Sequence, residues 1–383
     1  MGKLKKLLVA AVLLLMLPIT VRGEGYVKIT RKPLTNEEIE NIMRNGVAWL
    51  KNTQESDGHF RYEYIPFLDR YVDDDNMVRQ TGAAFVLSEF LISRDGDLYD
   101  VKGNVDIALG YFEKNSMYGN VGGRQFRCVI LVNEKCSLGA TALALIAAIN
   151  FDRADEEKYN SLIDDYLNFI LAAKKNNGGF FDAYSVDPGF FGESAFSSGE
   201  ALLALAKYYQ MNGDVVVREI IDQSYKYFAK IYGDEPDNNF YLWGMAAVKI
   251  LNEIEPGRSD YFNFVRKYTD WRIDGYRDKR ATSHNMCAYI EGVVSAYPVL
   301  SDGLNENEKM ELMEEIDFWL SKSADLQMKS GDLLWTKMKN RSPKVLKLKN
   351  ESMAIGGFLT GLDEQAQRID FTQHCISAFL QRM

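Results

Sequence analysis

The sequence predicts an all-α fold, an (α/α)6 toroid in which six helical hairpins close into an inner and an outer ring of helices. Hydrophobic residues recur at helical spacing along most of the 383 residues. Helices with a single apolar stripe alternate six times with helices that are apolar on nearly every face. Strand-like runs are scarce, and we expect only one short extended segment, at 128–132.

A single apolar stripe identifies the outer helices, because the opposite face is left to water. The outer members are predicted at 37–51, 106–114, 161–174, 218–231, 261–271 and 308–321. The inner members, which are small and apolar nearly all round, are predicted at 78–92, 137–149, 198–209, 241–254, 283–297 and 369–380. Three helix starts have the capping-box pattern in which a cap residue is followed three positions later by Glu or Gln: Thr35 with Glu38, Ser197 with Glu200, and Asp370 with Gln373.

Closure into a ring follows from the two kinds of helix. A helix pair cannot bury its apolar face alone, so successive pairs either stack into an open solenoid or close. An open solenoid requires polar capping repeats, and the sequence has none at either end. No linker-like composition shift interrupts the pattern, so we predict that residues 24–383 form one domain.

The first 23 residues are predicted to be a secretory signal peptide. Lys3, Lys5 and Lys6 precede an unbroken apolar run at 7–17, and Val21-Arg22-Gly23 offers a cleavage site. The alternative is an uncleaved membrane anchor, but the apolar stretch is shorter than the roughly 18 to 20 residues that span a bilayer. Removal of the leader changes the formal charge from −9 to −13. We therefore expect a secreted protein, extracellular or periplasmic, with no later membrane span and no nucleic-acid partner.

The four cysteines are an even number, which permits disulfides in an oxidising compartment. Cys128 and Cys136 can clip a local loop. Cys287 and Cys375 lie beside histidines, which raises a metal site as one alternative, with buried thiols or a disulfide as the other. The His and Cys spacings match no closed zinc site, so no metal and no cofactor are predicted.

Two resemblances to known families are present. The segment 54–60, Gln-Glu-Ser-Asp-Gly-His-Phe, resembles the turn of terpenoid cyclase and protein prenyltransferase repeats, and 177–180 and 274–276 are similar to it. The six-pair layout resembles the six-hairpin glycosidases. This second resemblance implies a toroid that degrades or isomerises sugars.

Parallel inner helices would bring their N-termini, and the loops before them, to one mouth of the ring. Glu193 is the first catalytic candidate there, because it stands between aromatics and a Ser-rich turn and is not explained as a cap. Asp75 and Asp370 are further candidates, for which helix capping is the alternative explanation.

The predicted substrate-binding residues belong to the same loops and first turns. Arg79 opposes the helix dipole in its inner helix, although an ion pair with Asp75 would also explain it. The complete set comprises Arg79, Gln80, Tyr241, Trp243, Arg280, His284 and His374.

A carbohydrate-active enzyme is the first functional hypothesis. A glycoside hydrolase would use Glu193 and Asp75 as its acid–base pair, with either of the two as the acid, and a lyase or epimerase acting on uronic-acid glycans would reuse the same cleft. Isoprenoid chemistry is the second hypothesis, although Asp73-Asp74-Asp75 is not the Asp-x-Asp-Asp acid of squalene-type cyclases. The third is a non-catalytic toroid that binds a glycan or peptide. The expected partner is an oligo- or polysaccharide, bound by a monomer.

Overall fold

Twelve helices form two concentric rings. The computed structural model describes residues 31–94, 96–154, 157–277, 286–336, 344–361 and 364–383. The outer helices are α1 (Asn36–Thr53), α3 (Lys102–Lys114), α5 (Asn160–Ala172), α7 (Val215–Asp234), α9 (Ser259–Arg277) and α11 (Glu306–Ala324). The inner helices are α2 (Met77–Leu91), α4 (Leu138–Ala154), α6 (Ala195–Asn212), α8 (Asn238–Ile254), α10 (Met286–Ser301) and α13 (Ile369–Arg382).

The inner ring is closed. Each inner helix packs against the next, and α13 returns to pack against α2. Small residues allow this close approach: a Cβ on Gly199 of α6 would crowd Trp243 of α8, and a Cβ on Gly292 of α10 would crowd Tyr241. Lys32–Met383 forms one compact unit. The predicted (α/α)6 toroid is confirmed.

Of the three predicted capping boxes, only the one at α1 is present; Asn76, whose side chain accepts from Val78 and Arg79, caps α2. Thr35 and Glu38 make both bonds of a capping box, at 3.2 and 2.7 Å. The other two predicted boxes are wrong. Helix α6 is capped by Ser194, so Glu200 lies in its second turn, and α13 starts after Arg368 without a side-chain cap. Glu200 and Asp370 are therefore not explained as caps.

Short strands are more numerous than the sequence pattern predicts. The strands are β1 (Glu63–Ile65), β2 (Arg70–Tyr71), β3 (Ser116–Val121), β4 (Arg124–Val132), β5 (Lys135–Ser137), β6 (Ala183–Ser185), β7 (Gly189–Phe191), β8 (Leu333–Thr336), β9 (Lys344–Lys347) and β10 (Gln367–Arg368). They pair in the orders β10-β1-β2, β3-β4-β5-β6-β7 and β8-β9, and every pairing is antiparallel. The expectation of one extended run was wrong because most of these strands are too short to show alternating hydrophobicity. A four-residue helix, α12 (Glu351–Ala354), follows β9.

The turn predicted from the repeated Gly-containing motif is present at two of its three positions. In 54–60 and 174–180 an isolated β-bridge joins the first and last residue, and Gly58 and Gly178 both have φ +100°. A Cβ on either glycine would also overlap a backbone carbonyl of an outer helix, at Ile107 and Gln223 respectively. These two constraints explain the glycines. The third predicted copy, at 274–276, is wrong because those residues lie inside α9.

Two disulfides cross-link the chain. Cys128 joins Cys136 between β4 and β5, and Cys287 joins Cys375 between the inner helices α10 and α13. All four residues are buried. The alternatives left open for Cys287 and Cys375 are thus decided in favour of a disulfide.

A polar network closes the end of the ring where the inner helices terminate. Lys207 donates to Glu89 at 2.7 and 3.0 Å, and Asn150 also donates to Glu89. Gln381 accepts from Ser295 and from Lys249 at 2.7 and 3.4 Å. Each inner helix contributes one of these six residues, so the inner helices run in the same direction and their N-termini share the opposite mouth. Among the described residues, no helix has the length and hydropathy needed to cross a bilayer.

Candidate functional site

Four large polar or aromatic side chains lie at one depth inside the mouth. Glu200, Trp243 and His374 are each the sixth residue of their inner helix, α6, α8 and α13, and Glu291 of α10 is paired with His374. At 1.5 Å per residue this places the first three about one and a half turns below the helix starts, with Glu291 beside His374. All four are at most 6% exposed. The ring interior is therefore polar at this level, although the helices around it are mostly apolar.

Glu200 has the most perturbed carboxyl group of this layer. It is 3% exposed, and no described residue donates a hydrogen bond to it. The pKa of Glu200 is raised to about 8, chiefly by burial; the nearby Arg79 opposes this rise and Asp182 adds to it. The carboxyl group is consequently protonated at neutral pH, which is the state required of a general acid.

Asp182 lies beside Glu200 but in a different environment. It follows the second repeated turn and precedes β6, and its partly exposed carboxylate accepts a hydrogen bond from Ser197. The backbone carbonyl of Asp182 also accepts from Leu138 at 2.8 Å, which ties this loop to the start of α4. Two neighbouring carboxyl groups in unlike environments are the usual basis for separate acid and base roles.

Asp370 binds two arginines at the α2–α13 side of the mouth. Arg368 donates to Asp370 Oδ1 and Oδ2 at 3.0 and 2.6 Å, and Arg79 Nε lies 3.1 Å from Oδ2. The Asp370 side chain is only 3% exposed, whereas that of Arg79 is 35% exposed. Asp370 thus fixes Arg79 at the mouth, and the alternative pair of Arg79 with Asp75 does not form.

His374 and Glu291 form a buried pair. His374 Nδ1 lies 2.7 Å from Glu291 Oε2, and the ring of His374 is 6.0 Å from that of Trp243. Trp243 in turn packs edge-on against Phe85. A carboxylate at Nδ1 fixes the orientation of the imidazole and leaves Nε2 for proton transfer.

Asp75 and Gln80 are joined to the first repeated turn. Gln80 bonds the backbone N–H and C=O of Phe60, both at 2.7 Å, and donates to Asp75 Oδ1 at 2.6 Å. Asp75 Oδ2 is 3.6 Å from His59 Nε2. Burial alone would raise the pKa of Asp75, but its contacts with His59 and Gln80 lower it below the ordinary value. These contacts hold the loop that precedes α2.

The remaining predicted residues are more dispersed. Glu193 lies before α6, with its side chain 66% exposed and paired with Lys175. Tyr241 points toward the outer ring, where its hydroxyl bonds Thr269 at 3.1 Å. Arg280 and His284 lie outside the described residues.

Asp182, Glu291 and Arg368 were not predicted from the sequence, and Glu200 was explained by a capping box. One signal was available for Glu200 and Glu291: each is an acidic residue beside an apolar stretch of an inner helix, where charge is unfavourable unless it has a role. Asp182 and Arg368 carry no such signal, since Asp182 lies in a loop and Arg368 in the two-residue strand β10, and only the fold determines the path of both segments.

Two cavities lie on the outside of the toroid. The larger, about 530 Å³, is lined by residues of α3, α5 and β3–β4, including Asp106, Tyr118 and Asp165. The smaller, about 380 Å³, lies between α1 and the 96–100 segment. Neither is lined by Glu200, Arg79 or His374.

Gly139 offers a way to disturb Glu200 without changing it. A Cβ at Gly139, in the first turn of α4, would overlap the Glu200 carboxylate oxygen Oε2. We expect Gly139→Ala to displace the carboxyl group and to lower turnover by at least about tenfold, since small misplacements of catalytic groups are costly. The matched control is Gly110→Ala in α3, where a Cβ would meet nothing within 4 Å. Equal turnover of the two variants on the substrate identified by the panel described below would contradict the expectation.

No protein-family model and no curated protein matches the chain. Similar solved structures do exist. A D-mannose isomerase has a TM-score of 0.66 at 10% identity, with 91% of this chain and 98% of that chain covered. The cellobiose 2-epimerase of Spirochaeta thermophila has a TM-score of 0.61 at 11% identity, with 90% of this chain and 96% of that chain covered.

A hydrolase has the same architecture. The α-1,6-mannanase of Salegentibacter sp. HEL1_6 gives a TM-score of 0.62 at 11% identity, with 91% of this chain and 98% of that chain covered. The chain shares the (α/α)6 toroid of these enzymes. At such identities the likeness establishes the fold and assigns no activity.

Proposed function

We propose that the protein is a carbohydrate-active enzyme whose site is the mouth formed by the inner-helix N-termini. The observation that carries this proposal is the buried Glu200 carboxyl group, which has no hydrogen-bond partner among the described residues and whose pKa burial raises to about 8. A buried acid without a structural partner costs stability, so a catalytic role is its simplest explanation. The sugar enzymes with the same fold support the choice of substrate class.

Glycoside hydrolysis is the reaction that the carboxyl groups support best. Glu200 would give its proton to the glycosidic oxygen as the bond from that oxygen to the anomeric carbon breaks. Asp182 would accept a proton from the water that attacks the same carbon. Trp243 would pack against a sugar ring, and Arg79, held by Asp370, would bind hydroxyl or carboxylate oxygens.

Glu200 takes the place that Glu193 held in the acid–base pair predicted from the sequence. Glu193 is exposed and paired with Lys175, whereas burial favours the neutral form of Glu200. Asp75 and Asp370 are proposed as positioning residues, because their oxygens already bind Gln80 and Arg368 respectively.

Sugar isomerisation or epimerisation is a second candidate, favoured by the His374–Glu291 pair. An imidazole fixed by a carboxylate can remove a proton next to a carbonyl group and return it to the neighbouring carbon or to the opposite face. His374 would then be the base and Glu200 the acid on the sugar oxygen.

Product analysis distinguishes the two reactions. The pure protein is incubated with α- and β-linked oligosaccharides, neutral and uronic, and with free aldoses, and the products are identified by NMR. We expect cleavage of a glycosidic bond, with new reducing ends. Exchange of solvent deuterium into an uncleaved sugar would instead establish the second candidate, and no change in any sugar would reject both.

We also propose that the chain is exported. Its N-terminal segment has the three parts of a signal peptide, and its two buried disulfides suit an oxidising compartment.

A further inference from the structure

Arg79 has unused hydrogen-bonding capacity at the mouth. Its Nε lies 3.1 Å from Asp370 Oδ2 but outside hydrogen-bond geometry, and this buried atom has no acceptor. No described residue accepts a hydrogen bond from the terminal nitrogens of Arg79. A guanidinium carries five N–H donors in a planar fork that matches a carboxylate, so most of this capacity is available to a ligand.

Gln373 supplies a second unused donor nearby. The residue is 2% exposed, and its Nε2 is buried without an acceptor. Its side chain packs against Gly82, which lies one turn after Arg79, and Gln373 itself lies one turn after Asp370. A buried amide donor without an acceptor costs free energy, and an anion bound beside it would remove that cost.

Arg79 shares its carboxylate partner, Asp370, with Arg368. Asp370 is already bound through both oxygens by Arg368. Two other carboxylates have partners of their own: Glu63 interacts electrostatically with Arg368, and Asp182 accepts a hydrogen bond from Ser197. The converging N-termini of the inner helices add positive potential at the same mouth.

We propose that the sugar bound at this mouth carries a carboxylate, as in a uronic acid, and that Arg79 and Gln373 bind that carboxylate. The inference rests on the proposed function and narrows its substrate class. It makes Arg79 a specificity-determining residue, with Asp370 and Arg368 as its support.

Calorimetric titration at pH 6 tests the inference without requiring turnover. Glucuronate, galacturonate and mannuronate are compared with glucose, galactose and mannose, and glucose 6-phosphate is included as a phosphate ligand. We expect one uronate to bind about 10- to 100-fold more tightly than its neutral counterpart, the effect of a charge-assisted hydrogen bond. Arg79→Gln should abolish this preference, and Arg79→Lys should retain part of it.

Arg153→Gln is the matched control, because Arg153 is exposed in the last turn of α4, at the far end of the ring. It should leave the preference unchanged. Equal binding of uronates and neutral sugars, or a preference that survives Arg79→Gln, would overturn the inference while leaving the proposed function intact. Tighter binding of the phosphate would overturn the carboxylate assignment. Binding of no sugar at all would overturn both the proposed function and the inference.

Discussion

Glu200→Gln is expected to lower turnover of a glycosidic substrate by about 10²- to 10⁴-fold, the contribution typical of a general acid. Glutamine has nearly the same shape but cannot give up a proton at neutral pH. Glu193→Gln is the matched control and should keep nearly wild-type turnover, because that side chain is exposed and paired with Lys175. Steady-state kinetics on the substrate found in the oligosaccharide panel provides the measurement. A loss with Glu193→Gln and none with Glu200→Gln would restore the assignment made from sequence.

The raised pKa of Glu200 also makes the free energy of unfolding of the wild type depend on pH, and Glu200→Gln should remove this dependence. The pKa of Glu200 rises from 4.5 to about 8 on folding. Below pH 4.5 the carboxyl group is neutral in both states, and between 4.5 and about 8 the folded state increasingly loses stability relative to the unfolded state. At 1.36 kcal/mol per pKa unit the loss reaches up to about 5 kcal/mol above pH 8.

Glu200→Gln removes that loss. Chemical denaturation should therefore show the variant matching the wild type near pH 4 and exceeding it at pH 8. The wild-type turnover should decline as pH rises through about 8, because the acid loses its proton. A stability difference independent of pH would contradict the raised pKa.

Removal of the Cys287–Cys375 disulfide is expected to cause the largest loss of stability. The two cysteines are 88 residues apart, and in the chain-entropy treatment a loop of that length stabilises the folded state by about 4 to 5 kcal/mol. The bond also joins α10 to α13, which carry Glu291 and His374. We expect Cys287→Ala with Cys375→Ala to lower the free energy of unfolding by a few kcal/mol, measured by denaturant titration under oxidising conditions.

The second disulfide provides the comparison. Cys128 and Cys136 are separated by 8 residues, for which the same treatment gives about 2 to 3 kcal/mol. The Cys128→Ala, Cys136→Ala variant should therefore be the more stable of the two. The reverse order would indicate that loop entropy does not govern these cross-links and that their local packing does.

The inner and outer rings of helices could be predicted from the sequence because the hydrophobic pattern of each helix shows how many of its faces are buried. Segments such as 140–148, apolar on every face, must be covered on all sides, and a striped helix such as α1 must keep one face in water. Six alternations of these two kinds leave few arrangements other than a closed ring. The short strands escaped prediction because a strand of two or three residues has no measurable period.

The sequence by itself determined the toroid, the mouth at which function is proposed and several residues close to it, including Arg79, Trp243 and His374. It could not determine which carboxyl group is buried, because Glu193 and Glu200 lie only seven positions apart. Their burial depends on where α6 starts: with Ala195 as its first residue, Glu193 precedes the helix and Glu200 lies within it. The tertiary structure also decided the partner of Arg79. Asp75 is four residues away along the chain, but packing of α13 against α2 brings Asp370 to it instead. The burial and pairing of these charges depend on helices far apart in sequence, which is why only the closed ring could reveal them.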